Sequence, residues 1–353
     1  MSKINSAYIA ATLFAYMAVG IASAAPPQTP GPQGDFASKW KTIGFKQPNS
    51  MGAGAAAIPK RGKFRVFVLM GQSNMNGSGR ATQLQSPYNA KHERIRIWAN
   101  GRWEYFVPSN RFGPGVSFAH QLADFWPEDT IGIIKISCGA TGISAFEKNW
   151  SFERAERSKD GKKGSLYKDL MNAVAGAKLI SQPEFCGFVW KQASADGKKG
   201  LAQEYYNNFS KLISDLSADL GVTNLPTFVP SYARDGELLE AVLATLNKAD
   251  TLKARKSAGK NSVSEAKMLQ AVLAYIDDNG LLKTAKPAVK KRRHLATVIS
   301  AQNRVGRELT NVTTFYPGRL PIGDDGVHYS SEGYIKLGKI TASAVEDFYR
   351  AKR

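Results

Sequence analysis

Five short apolar runs set the limits on how this chain can fold. RVFVLM at 65–70, IGIIKIS at 131–137, CGFVWKQ at 186–192, LPTFVPSY at 225–232 and VTTFY at 312–316 are short and rich in β-branched and aromatic residues, which predicts buried strands. Longer amphipathic stretches lie between them, at 116–126, 165–180, 201–220 and 294–309. A final helix from about 331 to 351 follows Ser330 and Ser331, either of which can act as N-cap. Strands alternating with helices imply a parallel sheet covered on both faces, a three-layer α/β/α sandwich. Active sites in such sheets gather at the carboxyl ends of the strands, so the residues just after each run carry the most interest.

Residues 234–293 interrupt this rhythm, separating the fourth strand from the last helix–strand unit by far more than an ordinary connection. ELLEAVLATLNKA and SEAKMLQAVLAYIDD within it look helical, and the rest is basic: the stretch 251–293 holds 11 Lys+Arg and 3 Asp+Glu. The segment reads as an inserted helical subdomain or lid within a domain spanning 64–353. At the other end, Met1–Lys3 give a short basic start, residues 7–21 (AYIAATLFAYMAVGI) are apolar apart from Thr12, and Ala22-Ser23-Ala24 are small. Those features predict a signal peptide over 1–24, because the 15-residue apolar run falls short of the roughly 20 a spanning helix needs. Residues 25–63, rich in Pro, Gly and Ala, read as a linker, with order beginning near Arg65. The mature protein is expected to be secreted or periplasmic, with no transmembrane anchor.

The charge balance, 48 Lys+Arg against 29 Asp+Glu in 353 residues, allows nucleic acid, anionic lipid or an acidic glycan as partners. Export and the absence of an RRM, KH or helix-turn-helix signature argue against nucleic acid. With only Cys138 and Cys186, the chain can be neither a disulfide-rich scaffold nor a four-cysteine zinc module, and both read as buried thiols. The four histidines include no pair at helical ligand spacing, and there is no HExxH or EF-hand loop, so neither a protein-built metal site nor a metal cofactor is expected. Gly77-Ser78-Gly79 does not extend to GxGxxG, which weighs against a dinucleotide cofactor.

The first run ends in Met70-Gly71-Gln72-Ser73-Asn74-Met75. A serine directly after a buried strand, in a tight turn containing glycine, stands where a nucleophile belongs, with backbone amides near a developing oxyanion. The turn is GQSNM rather than GxSxG, so it is not an α/β-hydrolase elbow. Near the other end, Asp325 and His328 in DDGVHY are three apart on a loop before the last helix. A carboxylate so placed can orient the imidazole while the imidazole takes the serine proton, giving a Ser73/His328/Asp325 triad. Gln72 and Asn74 flank the serine as candidate substrate contacts, and Trp150, beside Asn149 in a loop, is a candidate platform for a sugar ring.

GQSNM, GPGVSFAHQLA, IIKISCGATGIS, GFVWKQASAD and DDGVHYSSEGYIKLG, in this order between about 64 and 347, resemble the carbohydrate acetylesterases of the SGNH hydrolase superfamily, relatives of sialate O-acetylesterase and of the family 6 acetylxylan esterases. The resemblance implies a flavodoxin-like SGNH fold and cofactor-free removal of acetyl groups from sugar hydroxyls. It assigns the nucleophile to Ser73, the general base to His328 and its orienting acid to Asp325. The oxyanion would be received by the Ser73 amide, the backbone at Gly139 and the Gln192 side chain. One departure stands out: where relatives read Gln-Gly-Glu-Ser-Asp, this chain has Gln192-Ala193-Ser194-Ala195-Asp196. The glutamate that serves some relatives as triad acid is missing, which leaves Asp325, and Ala193 is expected to tighten a turn where glycine is usual. The alternative that this departure raises is a catalytically weak carbohydrate-binding or envelope-associated protein on the same fold.

Overall fold

A computed structural model describes residues 51–257 and 264–352; the expected signal peptide and the linker up to residue 50 lie outside the described residues. The described residues form ten strands: β1 (Gly52–Ala55), β2 (Phe64–Gly71), β3 (Gly79–Arg80), β4 (Ile95–Ala99), β5 (Arg102–Phe106), β6 (Arg111–Phe112), β7 (Thr130–Ser137), β8 (Glu184–Lys191), β9 (Thr227–Pro230) and β10 (Val312–Phe315). Eight of them form one sheet in the order β1-β5-β4-β7-β2-β8-β9-β10, and β3 pairs with β6 apart from it. From β4 to β10 the neighbours run parallel, while β1, β5 and β4 pair antiparallel at one edge. The fold is thus mixed α/β around a mostly parallel sheet, as expected from the alternation of apolar runs and helices.

The eleven described helices are α1 (Ser73–Asn76), α2 (Gly115–Phe125), α3 (Phe152–Glu156), α4 (Leu166–Ile180), α5 (Leu201–Leu220), α6 (Asp235–Leu243), α7 (Lys248–Ser257), α8 (Glu265–Asp278), α9 (Leu281–Thr284), α10 (Pro287–Glu308) and α11 (Ser331–Arg350). One core layer joins β-strand residues such as Val68 and Phe188 to Leu170, Phe209 and Leu216 of α4 and α5. The opposite layer packs Phe67, Leu69 and Ile133 against Phe118 and Leu122 of α2 and Leu337 and Val345 of α11. Full burial of such a side chain contributes about 1.5–3 kcal/mol. None of the described helices is long and apolar enough to cross a membrane.

Two expectations change. Order begins before Arg65: β1 pairs with β5 across Gly52–Phe106 and Ala55–Glu104, capping the antiparallel edge of the sheet with residues assigned to the linker. The strands β4 and β5, with their hairpin at Asn100-Gly101, fall between the five runs because their charged and apolar residues alternate. The segment 234–293 does contain helices, but Leu238, Val242, Leu269, Val272 and Ile276 join the same core as β8 and α5. Its last helix, α10, runs unbroken from Pro287 through Glu308, across the expected boundary. Trp103 and Trp190 are core residues, and Cys138 and Cys186 are buried thiols that form no disulfide.

β2 lies at the centre, with the chain moving to β7 on one side and β8 on the other. That is the switch point at which α/β sheets open a crevice, and the serine turn lies at its carboxyl end. Gly71, at the last position of β2, has φ 150°, and a Cβ there would lie 2.2 Å from Lys191 O. Gly338 of α11 does the same for helix packing: a Cβ would meet Pro114 O at 2.2 Å, so α11 can lie close on α2.

His120 of α2 is buried edge-on to the rings of Tyr88 and His92, with no acceptor or donor at Nε2 among the described residues. Burial, helped by the nearby His92, lowers its pKa from 6.5 to about 4. Between those values the unfolded chain carries a proton that the folded protein refuses, so stability falls as pH drops from about 6.5 to about 4. Thermal melts across this interval should fall less steeply for His120→Leu than for the wild type; equal slopes would assign the acid sensitivity elsewhere.

Candidate active site

Ser73 opens the single turn α1 directly after β2, where Gln72 N donates to Lys191 O (3.0 Å) and Met75 N and Asn76 N both donate to Gln72 O. The turn is clamped from β7 as well. Lys135 Nζ donates to Asn76 O (2.7 Å), and Ser137 Oγ lies 3.3 Å from Asn76 Oδ1. Lys135 and Ser137 are two apart on one strand and so share a face of the sheet.

The second half of the site comes from the loop before α11. His328 Nδ1 and Asp325 Oδ2 are 2.6 Å apart, while Asp325 Oδ1 accepts from the amides of Val327 and His328, each at 2.9 Å. Burial pushes the Asp325 carboxyl up, but these amides and the imidazole outweigh it and hold it below the usual carboxylate value. An ionised Asp325 is thus fixed against one ring nitrogen, which leaves Nε2 as the nitrogen able to take a proton.

Asn74 brings the two halves together. Its Oδ1 accepts from Tyr329 N (3.3 Å) and from Tyr334 Oη (2.9 Å), so the residues following Ser73 and His328 are bonded to one another across 255 positions of chain. Asn74 is 2% exposed. Gln72, 4% exposed, donates to Ser194 Oγ (2.6 Å) and accepts from Ala193 N (3.2 Å). Neither side chain is presented as a substrate contact, contrary to expectation, because both lie beneath the serine turn and spend their polar atoms on neighbouring loops.

The departure at 192–196 is accommodated. Ala193 has φ −170°, outside the left-handed region that calls for glycine. Gln192 requires a correction. It is fully buried, its amide nitrogen donates to Thr141 O (3.0 Å) and Asp196 Oδ2 (2.5 Å), and its oxygen accepts from Tyr205 Oη (2.7 Å). Both amide hydrogens serve the fold, and the structure does not offer them to an oxyanion. Gly139, by contrast, lies in the loop that leaves β7, whose first residue Cys138 donates to Gly71 O (3.0 Å), next to the serine turn. Trp150 lies further along, half-buried, just before α3.

Other polar residues buried near the site escaped the sequence. Lys191, fully buried at the end of β8, donates to Pro230 O (2.8 Å) and sits 3.3 Å from the centroid of the Tyr232 ring. Desolvation pushes its ammonium well below the ordinary value, and that of Lys135 down to about 7. A lysine inside an otherwise apolar strand, as in IGIIKIS and GFVWKQ, was the available signal. Among the described residues no cluster of His, Cys, Asp and Glu could hold a metal ion.

With the site described, the chain can be compared with known proteins. A family model for carbohydrate esterases, sialic acid-specific acetylesterase, matches residues 63–271. A probable carbohydrate esterase of Arabidopsis thaliana is 25% identical over 203 residues, covering 50% of this chain and 72% of that protein. A crystal structure of an Arabidopsis thaliana protein superposes with a TM-score of 0.54 at 19% identity, covering 81% of this chain and 99% of that one. The crystal structure of NanS gives 0.51 at 14% identity, covering 83% and 100%. These two likenesses show the fold.

Asn74→Leu removes the shared acceptor of Tyr329 N and Tyr334 Oη and should cost about 2–4 kcal/mol, measured by urea denaturation. A variant of unchanged stability with only a raised KM would instead make Asn74 a substrate contact.

Proposed function

We propose an acetyl-serine mechanism and an exported location for this chain, which belongs to the sialic acid-specific acetylesterase family of carbohydrate esterases. Family membership makes it a carboxylic ester hydrolase that deacetylates carbohydrates. In the proposed route Ser73 Oγ attacks the acetyl carbonyl carbon while His328 Nε2 takes the serine proton. Asp325 stabilises the imidazolium, and the amides of Ser73 and Gly139 receive the oxyanion. Collapse breaks the bond to the sugar oxygen, which leaves with the proton from His328. Water, deprotonated by the same imidazole, then releases acetate and frees Ser73. No cofactor is needed.

The observation that carries this proposal is the 2.6 Å Asp325–His328 pair, tied through Tyr329 and Asn74 to the serine turn. Export is supported by the basic start, short apolar run and small residues of 1–24. The substrate is proposed to be an O-acetylated sugar of the sialate or polysaccharide type, with Trp150 as stacking platform. An acidic glycan is favoured by the cations of the segment 251–293.

The test is acetate release from p-nitrophenyl acetate and from acetylated sialate, xylan and pectin. Ser73→Ala and His328→Ala should each lower kcat by at least about 10³-fold, and Asp325→Asn by a comparable factor. Activity that survives all three would overturn the triad. Saccharide binding without acetate release, with Ser73 unlabelled by a fluorophosphonate, would instead make this a binding protein. For an acidic polysaccharide KM should rise with salt while KM for a neutral one stays level; equal salt responses would remove the preference for acidic glycans.

A further inference from the structure

The loop leaving β7 disposes of its backbone polar groups in a lopsided way. From Gly139 to Thr141 its carbonyl oxygens accept: Gly139 O from Lys163 Nζ (3.0 Å) and from the Thr141 hydroxyl (2.9 Å), Ala140 O from Lys163 Nζ (3.1 Å), and Thr141 O from Gln192 Nε2 (3.0 Å). The next two amides meet buried carboxylates, Gly142 N on Asp160 Oδ2 (2.7 Å) and Ile143 N on Asp196 Oδ2 (2.9 Å). Among the described residues the amides of Gly139, Ala140 and Thr141 meet no acceptor within the protein. Thr141 is fully buried. Buried backbone donors are almost always paired, so the amides of Gly139 and Thr141, two buried residues on either side of the exposed Ala140, call for an explanation. Ala140 has φ 49°, left-handed for a residue with a Cβ, and successive amides around such a residue form a concave cradle for anionic oxygen.

One side chain fixes this geometry. The Lys163 ammonium grips Gly139 O, Ala140 O and Thr141 Oγ1 (2.9 Å), and is itself held by the Asp160 carboxylate at 2.6 Å. Asp160 is in turn fixed by Ser158 Oγ (2.5 Å). In a planar trans peptide the C=O of one residue is antiparallel to the N–H of the next. Two carbonyls drawn to one ammonium therefore turn the amides of Ala140 and Thr141 to the opposite side of the loop.

We propose that Lys163 is a positioning residue for the oxyanion step, holding the Ala140 and Thr141 amides, beside that of Gly139, toward the acetyl carbonyl oxygen at Ser73. This rests on the acetyl-serine mechanism above. It gives the oxyanion backbone donors in place of the Gln192 amide, which is spent inside the fold. Lys163 touches no reacting atom; it acts through the loop.

The experiment compares wild type, Lys163→Met, Lys163→Arg and Thr141→Val as full-length exported protein, with Ser73→Ala as reference. Lys163→Met should lower kcat on p-nitrophenyl acetate by about 10²-fold with KM within about threefold, since only transition-state contacts are lost. Affinity for a boronic acid that forms a tetrahedral adduct on Ser73 should fall in parallel with kcat, and Lys163→Arg should recover part of both. Thr141→Val keeps the ammonium and its ion pair but removes the hydroxyl's two ties, to Lys163 Nζ and to Gly139 O, and should lower kcat several-fold without a drop in melting temperature. That variant decides the matter if Lys163→Met does not fold. A Lys163→Met enzyme with unchanged kcat or unchanged boronate affinity, or a Thr141→Val enzyme with unchanged kcat, overturns the role of Lys163. Activity retained by Ser73→Ala would instead overturn the acetyl-serine mechanism itself.

Discussion

Asn74 is the joint on which this structure turns. The serine turn and the Asp325–His328 loop come from opposite ends of the chain, and the side-chain oxygen of Asn74 binds the backbone after His328 and the phenol of Tyr334 at once. The bonds form in a buried layer, away from competing water, where leaving either donor unmade costs more than the bond itself contributes. Around that joint the sheet supplies the rest. β2 carries the serine turn out at the switch point, β7 clamps it through Lys135 and Ser137, and Gly338 lets α11 settle against α2 so that the His328 loop arrives at the same edge.

Beneath the edge lies a layer of charge that most cores avoid. Lys191 is wholly buried against a carbonyl and an aromatic face, and Asp196, pushed up to about 7 by burial, is held by one amide and the Gln192 side chain. Burying such groups is costly unless each finds partners or gives up its charge. Here the charged groups face the loops that frame the serine turn. The outlay in stability is spent on fixing loops, which otherwise are the most mobile parts of an α/β domain. Gln192 shows the consequence for chemistry: a side chain expected to face an oxyanion is recruited to satisfy Asp196 and the Thr141 carbonyl.

Legibility in the sequence followed the range of the interaction. RVFVLM, IGIIKIS, CGFVWKQ, LPTFVPSY and VTTFY could be recognised as strands because a strand buried on both faces must be apolar along its length. β4 and β5 escaped because an edge hairpin alternates charge with apolarity, and β1 escaped because GAGA has too little side chain to signal anything. Asp325 and His328 were legible since three residues on a loop bring a carboxylate to an imidazole. Gln72, Asn74 and Gln192 were misread as facing substrate or oxyanion, since their neighbours at 193, 194, 196, 329 and 334 lie far away in sequence.

By itself the sequence determined the parallel α/β architecture, the serine turn at the end of the first central strand and the acid–histidine pair before the last helix. Each follows from local pattern: burial periodicity, a tight turn, a three-residue spacing. Only the tertiary structure decided which polar side chains serve the fold and which remain open at the edge. It made Asn74 the link between the halves of the site, turned Gln192 inward and set Lys163 against the carbonyls of the loop after β7. Hydrogen-bond partners are assigned by where distant segments meet, and no local pattern records that meeting.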